Sequence, residues 1–212
     1  MLTGFATIGV FFFFFLVAFS ITALVMYLDA QTLTARPPKF SIAEGSAEAS
    51  SEQASVAHDE DAKSGRMRVE AVLNGAGRGQ ASSTLGHEFQ VRGKKAGRFY
   101  VVVEYEYRAG VRVADGAGRS SAELDLHIGE KSAKISETLQ DGLGNQGVPD
   151  QGEVLKASKK IVTTFKPGPT RIWVSLSAVA EGTGDSSANC RAEADAKVMA
   201  ISVKPTLGSL FA

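Results

Sequence analysis

The side chains capable of chemistry are few in this chain and badly spaced for it. His58, His87 and His127 are the only histidines, and no two of them stand at metal-ligand spacing, so no zinc site is expected. Cys190 is the single cysteine; it cannot close an internal disulfide and reads as a small buried residue at a strand start. Asp141 and Asn145 lie within the glycine-rich run Asp141-Gly142-Leu143-Gly144-Asn145-Gln146-Gly147 and Asp150 and Glu153 just after it, a loop where oxygen ligands could hold calcium. Leu143 and Gln146 occupy places that an EF-hand loop gives to Asp or Asn and to Gly, so a solvated loop is expected and no metal. Glu104 and Glu106 share one strand face at about 7 Å, a carboxylate pair without a pocket. Gly75-Ala76-Gly77-Arg78-Gly79 has its third glycine out of place for a phosphate-binding turn, which leaves a hairpin loop. No nucleophile elbow, Walker loop or haem-attachment motif is present. The expectation is a non-catalytic protein with no cofactor, its possible surface contacts Tyr100 and Trp173 offering aromatic faces.

What would position such contacts begins at the other end of the chain. Gly4 to Leu28 is an uncharged run of about 25 residues containing Phe11, Phe12, Phe13, Phe14 and Phe15 in succession, with Phe19 beyond. A helix of that length rises roughly 37 Å, against a hydrocarbon core of about 30 Å. Residues 1–30 are therefore predicted as one transmembrane helix in a lipid bilayer. The start lacks a basic region, the apolar run is long for a signal peptide, and Leu28 spoils the nearest small-x-small cleavage point, so the segment is expected to be retained. Five consecutive rings face every side of a helix, toward lipid or toward a partner's helices and apolar cofactors. Gly4, Gly9, Ala18 and Ala23 form no GxxxG face. Arg36 and Lys39 after the span favour a cytoplasmic C-terminal part. The small-residue, β-rich character of that part favours the opposite side, periplasmic or cell surface, and the extracytoplasmic placement is preferred.

Charge balances at 23 Lys and Arg against 23 Asp and Glu, with no clustered basic stripe, so no nucleic acid is expected as partner. Residues 31–66 contain Pro37-Pro38, and Ser41 to Arg66 beyond them is rich in Ser, Ala and Glu with almost no large apolar side chain. Such a composition buries too little surface to offset its ordering entropy, and a low-complexity tether is predicted. Residues 67–206 then alternate. Phe99, Val101, Val103, Tyr105 and Tyr107 share one face of a strand, Ala122 to Ile128 and Ile172 to Ala178 repeat the pattern, and Asn189 to Lys204 changes phase after Val198 so that Met199, Ile201 and Val203 become the apolar set, as at a bulge or a crossing between sheets. Further strands are expected at Met67 to Leu73, His87 to Arg92, Lys131 to Leu139 and Val154 to Phe165, with turns between them. The predicted fold is mainly β, an antiparallel β-sandwich of immunoglobulin-like or jelly-roll-like type, with one N-terminal transmembrane helix and an apolar tail at 207–212.

These elements suggest a single-pass membrane protein acting by contact: an accessory or structural subunit docking on a larger membrane protein complex through helix, tether and sandwich. A second expectation is self-assembly into a surface filament. An apolar N-terminal helix with Gly4-Phe5 near its start, followed by a β-rich part, resembles the layout of archaeal flagellins and pilins, although basic residues ahead of that point and an acidic residue in the early helix are absent. A third is a membrane-tethered carbohydrate- or calcium-binding module with Trp173 and Tyr100 as the sugar platform.

Overall fold

Alternating small or apolar residues with polar ones gives each strand one face for the interior and one for water. In the computed structural model, which describes residues 15–23, 32–92, 95–114, 116–142, 144–146, 154–182 and 188–206, that alternation is realised as two antiparallel sheets. The strands are β1 (Leu33–Ala35), β2 (Ile42–Ala49), β3 (Ala54–Asp61), β4 (Arg66–Asn74), β5 (Gly77–Val91), β6 (Gly97–Val113), β7 (Gly118–Ile128), β8 (Lys131–Asp141), β9 (Gly144–Gln146), β10 (Leu155–Phe165), β11 (Gly168–Gly182) and β12 (Asn189–Pro205). Sheet A runs β10-β6-β12-β4-β3, with β1 added beside β12 and β9 beside β6; sheet B runs β2-β5-β11-β7-β8. The chain passes repeatedly from one sheet to the other, so its two inner faces close on one core.

That core combines small side chains with branched ones. Ala178 and Ala180 of β11 and Ala192, Ala194 and Ala196 of β12 are buried, as are Leu73, Leu85, Leu124, Leu126, Ile172, Leu176 and Ile201. The phase change expected in the last strand is a bulge: Val198 pairs with Tyr105 and Ala200 with Glu104, leaving Met199 as the extra residue. After it Ile201 and Val203 face inward, while Met199 itself is not in the core.

The segment 31–66, expected as a tether, carries β1, β2 and β3 instead. β2 pairs along β5 from Ile42↔Gly86 to Ala49↔Gly79, and β3 along β4 from Ala54↔Leu73 to Asp61↔Arg66. Ala43, Gly45, Ala47 and Ala49 lie on β2 opposite the inward residues of β5, and small residues let β3 pack close to β2 across the sandwich flank. These strands need neighbouring backbone more than large apolar side chains, and composition does not register it. For the same reason β5 begins at Gly77, inside the run expected as a loop; Gly75 and Gly77, at φ of 131° and 127°, make the corner that leads into it.

Residues 15–23 are helical, with the Thr22 hydroxyl donating to the Ala18 carbonyl at 2.9 Å. No helix among the described residues is long and apolar enough to cross a membrane. The remainder of the expected span, including Phe11, Phe12, Phe13 and Phe14, lies outside the described residues, as does the tail 207–212.

Candidate functional site

The described residues bring together no catalytic constellation, and the outward surfaces of the two sheets and of the helix carry the candidate contacts. On the helix, Phe15 and Phe19 are 70% and 66% exposed, and Leu16, Val17 and Ile21 are exposed as well. At 100° per residue these five side chains point to all sides, so no single stripe of this helix is saved for the sandwich.

Tyr100 and Trp173 do not come together. Tyr100 is on β6 of sheet A and Trp173 on β11 of sheet B, each on the side of its strand away from the core. Trp173 stands beside His127 of β7, their rings parallel within 2° and 5.0 Å apart, with the His127 Nε2 2.7 Å from the Ser175 hydroxyl. On its other side β5 presents Gly86, and next along the same row β2 presents Ile42, which is 8% exposed although it lies outside the core cluster. A Cβ at position 86 would come within 2.6 Å of Trp173 Cα, so only glycine admits this tryptophan. Burial pushes the His127 pKa down, partly offset by the Asp125 carboxylate. Tyr100 is likewise engaged, with the Lys160 ammonium 3.7 Å from its ring centre. The two rings expected to make a sugar platform are thus a packed outer cluster and a cation-bound ring on different sheets.

The outer face of sheet A is a lattice of charge. One cross-strand row reads Asp59, Arg68, Asp195, Arg108; the next reads Asp61, Arg66, Lys197, Glu106, Lys156. Arg108 bonds Asp195 at 2.9 Å, and Arg191 bonds both Glu70 and Glu193, at 3.1 and 2.7 Å. Asp59, Arg68, Glu106, Arg108, Asp195 and Lys197 help line an open depression of about 510 Å³. Lys156 bonds Glu106 at 2.8 Å and holds its carboxyl below the usual carboxylate range. Glu106 is therefore committed to a cation, and its expected partner Glu104 is left exposed.

One cluster escaped the sequence reading. His58 and Glu60 face inward from β3 over Gly45 of β2, with Nδ1 and Oε2 3.0 Å apart, and the buried Ser83 hydroxyl lies 3.3 Å from the same Oε2. Serine, histidine and carboxylate are all present, but the carboxylate stands between the other two and Ser83 also bonds the Asp59 carbonyl. A histidine base must reach the hydroxyl it activates, so this arrangement ties β3 to β5 and does no acyl chemistry. Its only sequence signal was the spacing His58-x-Glu60, inside a segment with the composition of a tether.

Cys190 is buried, its thiol donating to the Glu181 carbonyl at 3.3 Å, and burial pushes its pKa up. His87 meets Phe89 edge-on at 5.0 Å. In the glycine-rich run, Gly144–Gln146 form β9 against Val111–Val113, while Asp150 and Glu153 lie outside the described residues. Among the described residues no group of three or more His, Cys, Asp or Glu side chains could hold a metal ion.

No protein-family model matches the chain, and no curated protein matches it. Among solved structures it is similar to the C-terminal CBM6 of LamC, a marine laminarinase from Zobellia galactanivorans, at 12% identity over 82% of this chain and 98% of that one, with a TM-score of 0.28. It is also similar to TmCBM61 in complex with β-1,4-galactotriose, at 14% identity, 73% and 87% coverage and a TM-score of 0.22. The glycoside hydrolase domain of Endo-D from Streptococcus pneumoniae R6 follows at 12% identity, 76% and 22% coverage and 0.26. A likeness of this size reaches no further than the architecture of two antiparallel β-sheets.

Proposed function

We propose that this chain is a non-catalytic, single-pass membrane protein whose β-sandwich is displayed outside the cytoplasm for contact with a larger membrane complex. The observation that carries the reading is the helix at 15–23, whose apolar side chains are exposed on every side while the sandwich fills its core without them. A helix apolar all round belongs in lipid or among other helices. The neighbouring uncharged residues give the span the length a bilayer requires. The strand order β4-β12-β6-β10 facing β5-β11-β7-β8 favours the jelly-roll member of the two expected sandwich types, with β3 and β2 added at one flank.

Order in 32–66 changes how such a protein would work. A free chain over 31–66 could extend roughly 120 Å, whereas five residues from Leu28 to Leu33 reach at most about 17 Å. The sandwich is then held at the membrane surface and meets partners there. The test is to express the full chain, wash membranes in alkaline carbonate, and purify it in mild detergent. Retention in the pellet, release by F12K/F14K, and a stoichiometric membrane partner on purification are expected. Complete extraction of the unaltered chain by carbonate would overturn the anchor, and a partner-free monomer from native membranes would overturn the docking role.

A further inference from the structure

The two ends of sheet A are opposites. At one end β3 pairs only with β4 among the described residues, and at the other β10 pairs only with β6, so each offers a row of open backbone donors and acceptors. β3 carries Asp59, Glu60 and Asp61 with no Lys or Arg, and beside it β2 of sheet B and the β2–β3 connection add Glu44, Glu48 and Glu52. Residues 154–167, which contain β10, carry Lys156, Lys159, Lys160 and Lys166 with no Asp or Glu. Outside the helix, the large apolar side chains that stand exposed among the described residues are Val154, Leu155 and Val162, at 45%, 47% and 48%, and all three are at the β10 end.

From these edges we infer that copies of this chain associate head to tail, β3 of one copy pairing with β10 of the next so that sheet A continues across the junction. The occupant of the β10 edge is a second copy because the alternatives within the pair fail on charge. A two-fold β10–β10 contact sets lysines against lysines, and a β3–β3 contact sets acids against acids. Lysines on an edge strand are a common guard against aggregation. Here they repel their own kind and match the opposite edge, which makes the guard selective. Each neighbouring pair across sheet A is antiparallel, so the first and fifth strands, β10 and β3, run the same way. A copy added with its outer face on the same side therefore pairs them in parallel over the eight residues of β3, about 26 Å. Sheet B has a poorer edge in β8, which mixes both charge signs and is interrupted by a bulge opposite Leu124/Asp125. Because the two contact surfaces differ, the pairing is heterologous and extends as an open row. It uses the sandwich alone and stands apart from the membrane reading.

The test is sedimentation velocity on the full chain in mild non-ionic detergent, across a concentration series in low and high salt. The expected result is a concentration-dependent ladder of oligomers at low salt, weakened at least about tenfold at high salt, as charge-matched contacts require. Two double substitutions change the charge of the edges without removing a side-chain ion pair named above: K159E/K160E on β10, which also frees the Tyr100 ring, and A57K/D59K on β3, which places a cation beside Arg68. Each variant alone should remain monomeric, and an equimolar mixture should associate again, because each then meets an edge of opposite sign. Thermal unfolding of each variant checks that it is folded, and the salt series on the unaltered chain decides the matter if either is not. A single species at every concentration, association that ignores salt, or a mixture that stays monomeric would overturn the pairing.

Discussion

Tyr107 tests the packing of the sandwich most sharply. Its ring is 4% exposed in the core, and its hydroxyl donates to the Ala122 carbonyl at 3.3 Å. Burial, with Glu123, Asp125 and Glu137 nearby and a bond to Thr138 acting the other way, pushes its pKa from 10.0 up to about 12. The folded state therefore holds the phenolic proton more tightly than the unfolded chain does. The resulting stability is fully present below pH 10 and is lost as pH rises from 10 toward 12. A rise of that size corresponds to about 2.7 kcal/mol, of which about 1.4 kcal/mol is gone by pH 11. Tyr107→Phe removes this titration and, at pH 8, costs about 1 kcal/mol for the lost hydrogen bond. The quantity to measure is the difference between the two proteins, in which every contribution they share cancels. Urea unfolding of the full chain in mild detergent, followed by the fluorescence of Trp173 at pH 8, 10 and 11, supplies it. The stability advantage of Tyr over Phe should shrink and reverse across that series. A difference that stays flat from pH 8 to 11 would mean that the ring is not held as a buried neutral phenol, and the core arrangement around β6, β7 and β8 would be wrong.

Three further outcomes follow from named contacts. His127 should protonate with a midpoint below 6.5, changing the fluorescence of the stacked Trp173 as pH falls; its depressed pKa also means that this part of the stability is present above pH 6.5 and lost on acidification, and His127→Asn should abolish the fluorescence step. Gly86→Ala should lower stability by about 1–3 kcal/mol in urea unfolding, because the added methyl meets the Trp173 backbone and the Ile172 carbonyl, which no rotamer change can move aside. The Cys190 thiol should react with a disulfide reagent more than about 100-fold more slowly in the folded chain than in urea, since only opening of the fold exposes it; fast native-state labelling would contradict its place beneath the Glu181 carbonyl.

Strands that bury large side chains on one face were legible in the chain. Phe99 to Tyr107, Ala122 to Ile128 and Ile172 to Ala178 alternate with period two, and β6, β7 and β11 contain them; the interruption of the last strand was visible as a change of phase in that same period. The outward placement of Trp173 followed from its position between Ile172 and Val174. Strands whose inner positions are alanine, glycine and serine were not legible. β2 has Ala43, Gly45, Ala47 and Ala49 on that side, and β3 has His58 and Glu60, so neither shows the contrast that periodicity detects. The same limit hid the start of β5, where Gly77, Gly79, Ala81 and Ser83 alternate with polar residues. The candidate contacts fared similarly: Trp173 was marked by residue type, but its neighbours His127, Gly86 and Ile42 arrive from three other strands.

The sequence by itself determined the apolar N-terminal run, the alternation that makes a β-sandwich, and its turns, because each is a property of residues close together along the chain. Only the tertiary structure decided which strands are neighbours: that Tyr100 and Trp173 lie on different sheets, that an acidic stretch with the composition of a tether forms an edge, and that a lysine-rich strand forms the opposite one. Pairing β4 with β12 joins residues more than 100 positions apart. Contacts at that separation depend on the whole core closing, and no local pattern encodes which edges remain open when it has closed.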